Sequence, residues 1–125
     1  KVPLSCMSPT FILKDGKPFA VLGSPGGLRI ISSVAQVISK IIDHGMSLEE
    51  AINSPRMGDH MSDTIIYETR ISESTMDTLR GMGHKTFAYP DWDRIMGAVN
   101  GVKYEEDGTI SGAADPRRDG LAVGI

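Results

Sequence analysis

Cysteine is nearly missing from this sequence: Cys6 is the only one in 125 residues. An intramolecular disulfide is therefore excluded, and so is a structural zinc site needing two or more cysteines. Positive charge is also sparse. Thirteen Lys and Arg stand against sixteen Asp and Glu, a formal charge of −3. Arg117-Arg118 is the only basic doublet, and Asp115 and Asp119 flank it. No basic stripe suggests a nucleic-acid partner. No apolar run approaches the roughly 20 residues of a membrane helix, and no secretory leader is visible. Internal repeats and low-complexity segments are absent. Residue 1 is Lys, with no lead-in to the first motif. The expectation is a piece of one domain, trimmed or released by a cut.

Hydrophobic residues make up 40% of the chain, enough for a core at this length. Phe11–Leu13 and Phe19–Leu22 flank Asp15-Gly16. Asp-Gly between apolar runs predicts a β-hairpin, because a type I′ turn needs positive φ. Past Gly23-Ser24-Pro25-Gly26-Gly27 the spacing predicts a long helix, about Leu28 to His44. Its Ile30, Ile31, Val34, Ala35, Val37, Ile38, Ile41 and Ile42 fall on one arc of roughly 160°. Ser32, Ser33 and Gln36 fall on the other side, and Gly45 is placed as the stop. Ser47-Leu48-Glu49-Glu50 has capping-box form, opening a short helix that Pro55 ends. Thr64–Tyr67 reads as a strand, Ser72 as the cap of a third helix carrying Met76, Leu79 and Met82, and Lys85–Tyr89 as a strand. Ile95–Tyr104 and Thr109–Ala114 are expected to pair as a second hairpin about Asp107-Gly108. The fold class expected is α+β, antiparallel hairpins with helices on one face and not a βαβ parallel sheet.

The chemistry concentrates where the first hairpin meets the long helix. Gly26-Gly27 lets a ligand approach backbone N–H groups with no Cβ in the way. At a helix start those donors are unpaired and the dipole favours negative charge. The anion could be a phosphate, a carboxylate or the oxyanion of acyl transfer, and a plain tight turn is the structural alternative. A Walker A loop needs Gly-Lys-[Ser/Thr], whereas Gly27-Leu28-Arg29 follows here, and no dinucleotide fingerprint is present. Ser5 and Cys6 could donate hydrogen bonds to a ligand carboxylate, with an ordinary Ser-rich turn as the reading that spacing alone favours. Cys6 as a nucleophile would need a nearby His or helix N-terminus, and no His is close in sequence. His44, His84 and the Asp59-His60/Asp63 group read as structural or surface residues, so no metal or cofactor is expected. Asp115 to Asp119 reads as a salt-bridged loop.

Three segments together are more specific than any one. Pro3 to Thr10 (Pro-Leu-Ser-Cys-Met-Ser-Pro-Thr), Gly23 to Ile30 (Gly-Ser-Pro-Gly-Gly-Leu-Arg-Ile) and Ala113 to Gly120 (Ala-Ala-Asp-Pro-Arg-Arg-Asp-Gly) resemble signatures of γ-glutamyltranspeptidases. Ala51 to Arg56 is similar to a fourth. The resemblance spans residues 1–125 and implies the C-terminal portion of that family's small subunit. It implies part of a four-layer αββα N-terminal-nucleophile hydrolase from a self-cleaving precursor. A Thr at the new N-terminus would attack a γ-glutamyl amide such as glutathione and pass the acyl group to water or an amino acid. That Thr is not in residues 1–125, so the chain alone is expected to be inactive. Its partner would be the upstream part of the precursor.

Carried over, the Gly26 and Gly27 N–H groups become the oxyanion hole, and Ser5 and Cys6 contact the substrate α-carboxylate. Cys6 stands where the family usually has Ser, and a thiol is the weaker donor. A relative acting on a glutaryl, cephalosporin or poly-γ-glutamate acyl group therefore remains an alternative. From other classes, a nucleotide-binding module and a non-catalytic assembly piece also remain. Many family members are extracellular or periplasmic. An isolated copy is expected to self-associate through unpaired sheet edges and its wide apolar helix face.

Overall fold

The computed structural model describes residues 8–59 and 63–124. Strands β1 (Thr10–Lys14) and β2 (Lys17–Gly23) form the expected hairpin. Asp15 and Gly16 have φ of 52° and 74°, the positive pair a type I′ turn requires. A 3-10 turn (Gly27–Arg29) leads into α1 (Ile30–Ile42), followed by α2 (Leu48–Asn53). Ser47 and Glu50 make the reciprocal capping box that their spacing predicts. Next come β3 (Met57–Asp59), β4 (Thr64–Glu68), α3 (Glu73–Gly81) and β5 (Lys85–Tyr89). Strands β6 (Asn100–Tyr104) and β7 (Ile110–Ala113) close the second hairpin.

The strands form two sheets, β1-β2-β6-β7, wholly antiparallel, and β3-β4-β5. In the second sheet β4 and β5 run parallel, joined through α3. This corrects the expectation of hairpins alone. Residues 69–84 are long enough for a crossover, and a capped helix within them is the usual bridge between parallel strands. The β3 strand, which pairs antiparallel with β4, was not expected either.

The core lies between the first sheet, α1 and α2. Leu22, Ile30, Val34, Val37, Leu48, Ala51, Ile52 and Val99 are all at most 4% exposed. Burying each large aliphatic side chain contributes about 1.5–3 kcal/mol. The buried stripe of α1 is Ile30, Ser33, Val34, Val37 and Ile41. It is narrower than the periodicity implied. Ile31 (67% exposed) and Ile42 (54%) lie outside it, because one sheet and one short helix cover only a single stripe. Ser33, expected on the polar side, is buried because its hydroxyl has carbonyls to bind. Met82 is also exposed, since it caps α3 and does not belong to its packed face.

The second correction concerns residues 95–99. Arg94–Met96 is a 3-10 turn, started by Asp93 accepting from the Ile95 N–H at 2.8 Å, and strand pairing begins only at Asn100. Met96 to Val99 are buried and run beneath the Gly26 loop. No helix among the described residues is long and apolar enough to cross a membrane.

Candidate functional site

Of the residues singled out from sequence, Gly26 and Gly27 are described, whereas Ser5 and Cys6 lie outside the described residues, as does His60. Gly26 has φ 147° and ψ 12°, and Gly27 has φ 59°. Both values favour glycine. An ideal Cβ on Gly26 would stand 3.1 Å from the Gly97 Cα, so two backbones touch there. A Cβ on Gly27 would meet nothing within 4 Å, because that residue faces an open cleft. Among the described residues, neither glycine's N–H has a hydrogen-bond acceptor. The pair heads the 3-10 turn and α1, where donors are ordinarily unpaired.

The cleft is lined by Gly26, Gly27, Leu28 and Arg29 on one side and by Asp93 to Ile95 and Arg117 to Asp119 on the other. Its walls carry four arginines and two aspartates. Arg117 is already balanced by buried carboxylates, while Arg94 and Arg118 are exposed.

Two serines hold the glycine loop from behind. The Ser24 hydroxyl donates to the Pro25 carbonyl at 2.8 Å and accepts from the Ala98 N–H at 3.0 Å. The Ser33 hydroxyl lies 2.7 Å from both the Arg29 and Met96 carbonyls. Ser24 belongs to the loop motif and Ser33 to the expected polar face of the helix, but the contacts of these two serines and of Gly97 were not read from sequence. A Gly97-Ala98 pair inside an apolar run was the available signal that backbone approaches closely there.

Below this segment is an ionic network that joins the two sheets. Arg56, Glu68, Asp115 and Arg117 are at most 4% exposed. Asp115 binds Arg56 at 2.6 Å and Arg117 at 3.1 Å, and accepts from the Val99 N–H at 2.8 Å. Glu68 binds Arg117 at 2.6 Å and Arg70 at 3.0 Å, and also accepts from the Arg56 and Trp92 N–H groups. Arg117 further donates to the Ile52 and Ser54 carbonyls, and Arg70 stacks 3.5 Å from the Trp92 ring centre. Burial pushes the Arg56 guanidinium below its ordinary pKa, with Asp115 opposing the shift. The expected salt-bridged loop is thus borne out at Asp115 and Arg117, as a buried pair and not a surface one. The roles of Arg56 and Glu68 were not read from sequence. Among the described residues there is no group of three or more metal-binding side chains.

Residues 1–125 match the family model described as Gamma-glutamyltranspeptidase. The chain is 42% identical over 126 residues to a glutathione hydrolase proenzyme of Bacillus subtilis (strain 168), covering 100% of this chain and 21% of that protein. It is 40% identical over 119 residues to the acylase ACY 1 proenzyme of Pseudomonas sp. (strain SE83), covering 95% and 21%. The crystal structure of the Helicobacter pylori gamma-glutamyltranspeptidase T380A mutant superposes with a TM-score of 0.82 at 40% identity, over 94% of this chain and 64% of that one. The chain therefore spans about a fifth of the length of these curated relatives.

Proposed function

Because this chain belongs to the gamma-glutamyltranspeptidase family, we propose that it forms the C-terminal part of a small subunit and supplies the oxyanion hole of an acyl-transfer site. The nucleophile comes from the rest of the precursor. In this reading the hydroxyl of an N-terminal Thr attacks the γ-carbonyl carbon of a γ-glutamyl amide. Its proton passes to the neighbouring amine, and negative charge develops on the carbonyl oxygen. The Gly26 and Gly27 N–H groups receive that oxygen. The C–N bond then breaks, the leaving amine takes the proton, and water or an amino acid removes the acyl group.

The observation that carries this reading is the pair of adjacent backbone donors, unpaired among the described residues and beside an open cleft. Preorganised donors of this kind cost no reorganisation when charge develops, and removing one typically lowers kcat by about 10²–10³. Ser5 and Cys6 would contact the substrate α-carboxylate. The nucleotide reading has less support, since Leu28 follows Gly27 where a P-loop has Lys, and Arg29 stands where it has Ser or Thr. Similarity to an acylase proenzyme supports a second acyl group as the alternative substrate.

The test uses the full-length protein with γ-glutamyl-p-nitroanilide and glutaryl-p-nitroanilide. We expect turnover of the first, and a loss of about 10²–10³ in kcat for Gly27→Val, whose branched side chain resists φ 59°. A folded variant with unchanged kcat would remove Gly27 from the site. Turnover of the glutaryl substrate alone would move the proposal to the acylase.

A further inference from the structure

We propose that Ser24 and Ser33 are positioning residues for acyl transfer: their hydroxyls latch the Gly26-Gly27 loop onto residues 96–98 and fix where its N–H groups point. The proposal rests on the oxyanion reading of those glycines. A two-glycine loop is the most permissive backbone a chain can place at a site. Stabilising a developing oxyanion demands the opposite, because donors misplaced by about 1 Å forfeit on the order of 10²-fold in rate. Something outside the glycines must hold them.

The two hydroxyls are placed to do so. Both serines are buried, Ser24 at 0% and Ser33 at 2% exposure. Ser24 sits two residues before Gly26, and its oxygen accepts from the Ala98 N–H at 3.0 Å. Ser33, one turn into α1, lies 2.7 Å from the Arg29 carbonyl, which closes the 3-10 turn begun by Gly27. It lies equally close to the Met96 carbonyl on the opposing segment. The loop is thus tied on both sides of the glycine pair.

Gly97 is what lets the hydroxyls converge. A Cβ there would stand 2.5 Å from the Ser33 Oγ and 3.2 Å from the Ser24 Oγ, and its bare Cα is the surface on which Gly26 rests. The opposing segment is itself tied down by hydrogen bonds. Arg56 donates to the Met96 carbonyl at 3.4 Å, and Asp115 accepts from the Val99 N–H at 2.8 Å. The latch therefore refers the glycine donors to the buried ionic network and not to solvent-exposed loops.

A hydroxyl that only stabilised the fold would move the melting temperature and leave the chemical step alone. Ser24→Ala and Ser33→Ala are made in the full-length protein, with rates normalised to cleaved enzyme. Five quantities are measured: kcat and KM for γ-glutamyl-p-nitroanilide, inhibition by a γ-glutamyl phosphonate that mimics the tetrahedral oxyanion, inhibition by glutamate, and the melting temperature. Each variant should lose at least about 10-fold in kcat with KM within about 2-fold. Phosphonate inhibition should weaken in step with kcat/KM, while glutamate inhibition stays unchanged. Should an alanine variant fail to fold, Ser24→Cys and Ser33→Cys replace the hydroxyl with a slightly larger thiol that donates and accepts more weakly, and an intermediate kcat is expected. A lowered melting temperature with unchanged kcat and phosphonate inhibition would overturn the latch alone. A wild-type protein inert to both γ-glutamyl and glutaryl substrates, or a Gly27→Val variant with full kcat, would overturn the oxyanion reading and the latch with it.

Discussion

Lys40 shows how far the site's surroundings reach into a single side chain. Its ammonium donates to the Pro55 carbonyl at 2.8 Å. Partial burial, then repulsion from Arg56 and Arg117, lowers its pKa from 10.5 to about 8. Folding thus disfavours the protonated form. The unfolded chain binds more protons between about pH 8 and 10.5, so this group's penalty is full below pH 8 and fades as pH rises through that window. Comparing wild type with Lys40→Met, we expect the melting-temperature difference to shift in favour of wild type from pH 8 to pH 10. A difference independent of pH would show that Lys40 ionises as it does in the unfolded chain. Gly26 and Gly27 could be singled out from sequence as a candidate anion site because the signal is local: two glycines and a helix start. Ser33 could not, because a serine among isoleucines looks like the polar side of a helix. Only its tertiary partner, the Met96 carbonyl, explains its burial.

At the scale of elements, turns and caps were the legible part. Asp15-Gly16, the Ser47–Glu50 box and the Ser72 cap all act within a few residues, and all formed as their sequence predicts. Pairing between distant segments was not legible. Nothing local says that β4 and β5 lie parallel, or that residues 95–99 leave the strand to support the Gly26 loop. The ionic network lies where these segments meet. Glu68 ends β4, and Asp115 and Arg117 follow β7, so these charges fasten one sheet to the other. Removing one member leaves a buried charge unpaired, which costs about 3–5 kcal/mol. Glu68→Ala in the full-length protein should therefore lower the melting temperature sharply. Exposed Asp77→Ala, which loses only a surface pair with Arg80, should barely change it, since such pairs contribute about 0–1 kcal/mol. Equal shifts for the two variants would contradict a structural role for the network.

For the whole molecule, the open question is what covers the first sheet. Its face away from α1 presents Phe11 (71% exposed), Leu13 (64%), Val102 (40%), Tyr104 (43%) and Ile110 (60%). So apolar a face suits the second sheet of a four-layer sandwich, consistent with a chain that spans about a fifth of its curated relatives. It is also the surface through which the isolated 125-residue chain should self-associate. Sedimentation showing one monomeric species up to hundreds of micromolar would argue that the face is tolerated in water. The wider claim is that this chain provides the oxyanion hole of the assembled enzyme. It is tested most directly by the crystal structure of the full-length protein inactivated with a γ-glutamyl phosphonate. We expect the phosphonyl oxygen about 2.7–3.1 Å from the backbone nitrogens of both Gly26 and Gly27. An oxygen held by other donors, with the two glycine N–H groups facing water or protein, would contradict it.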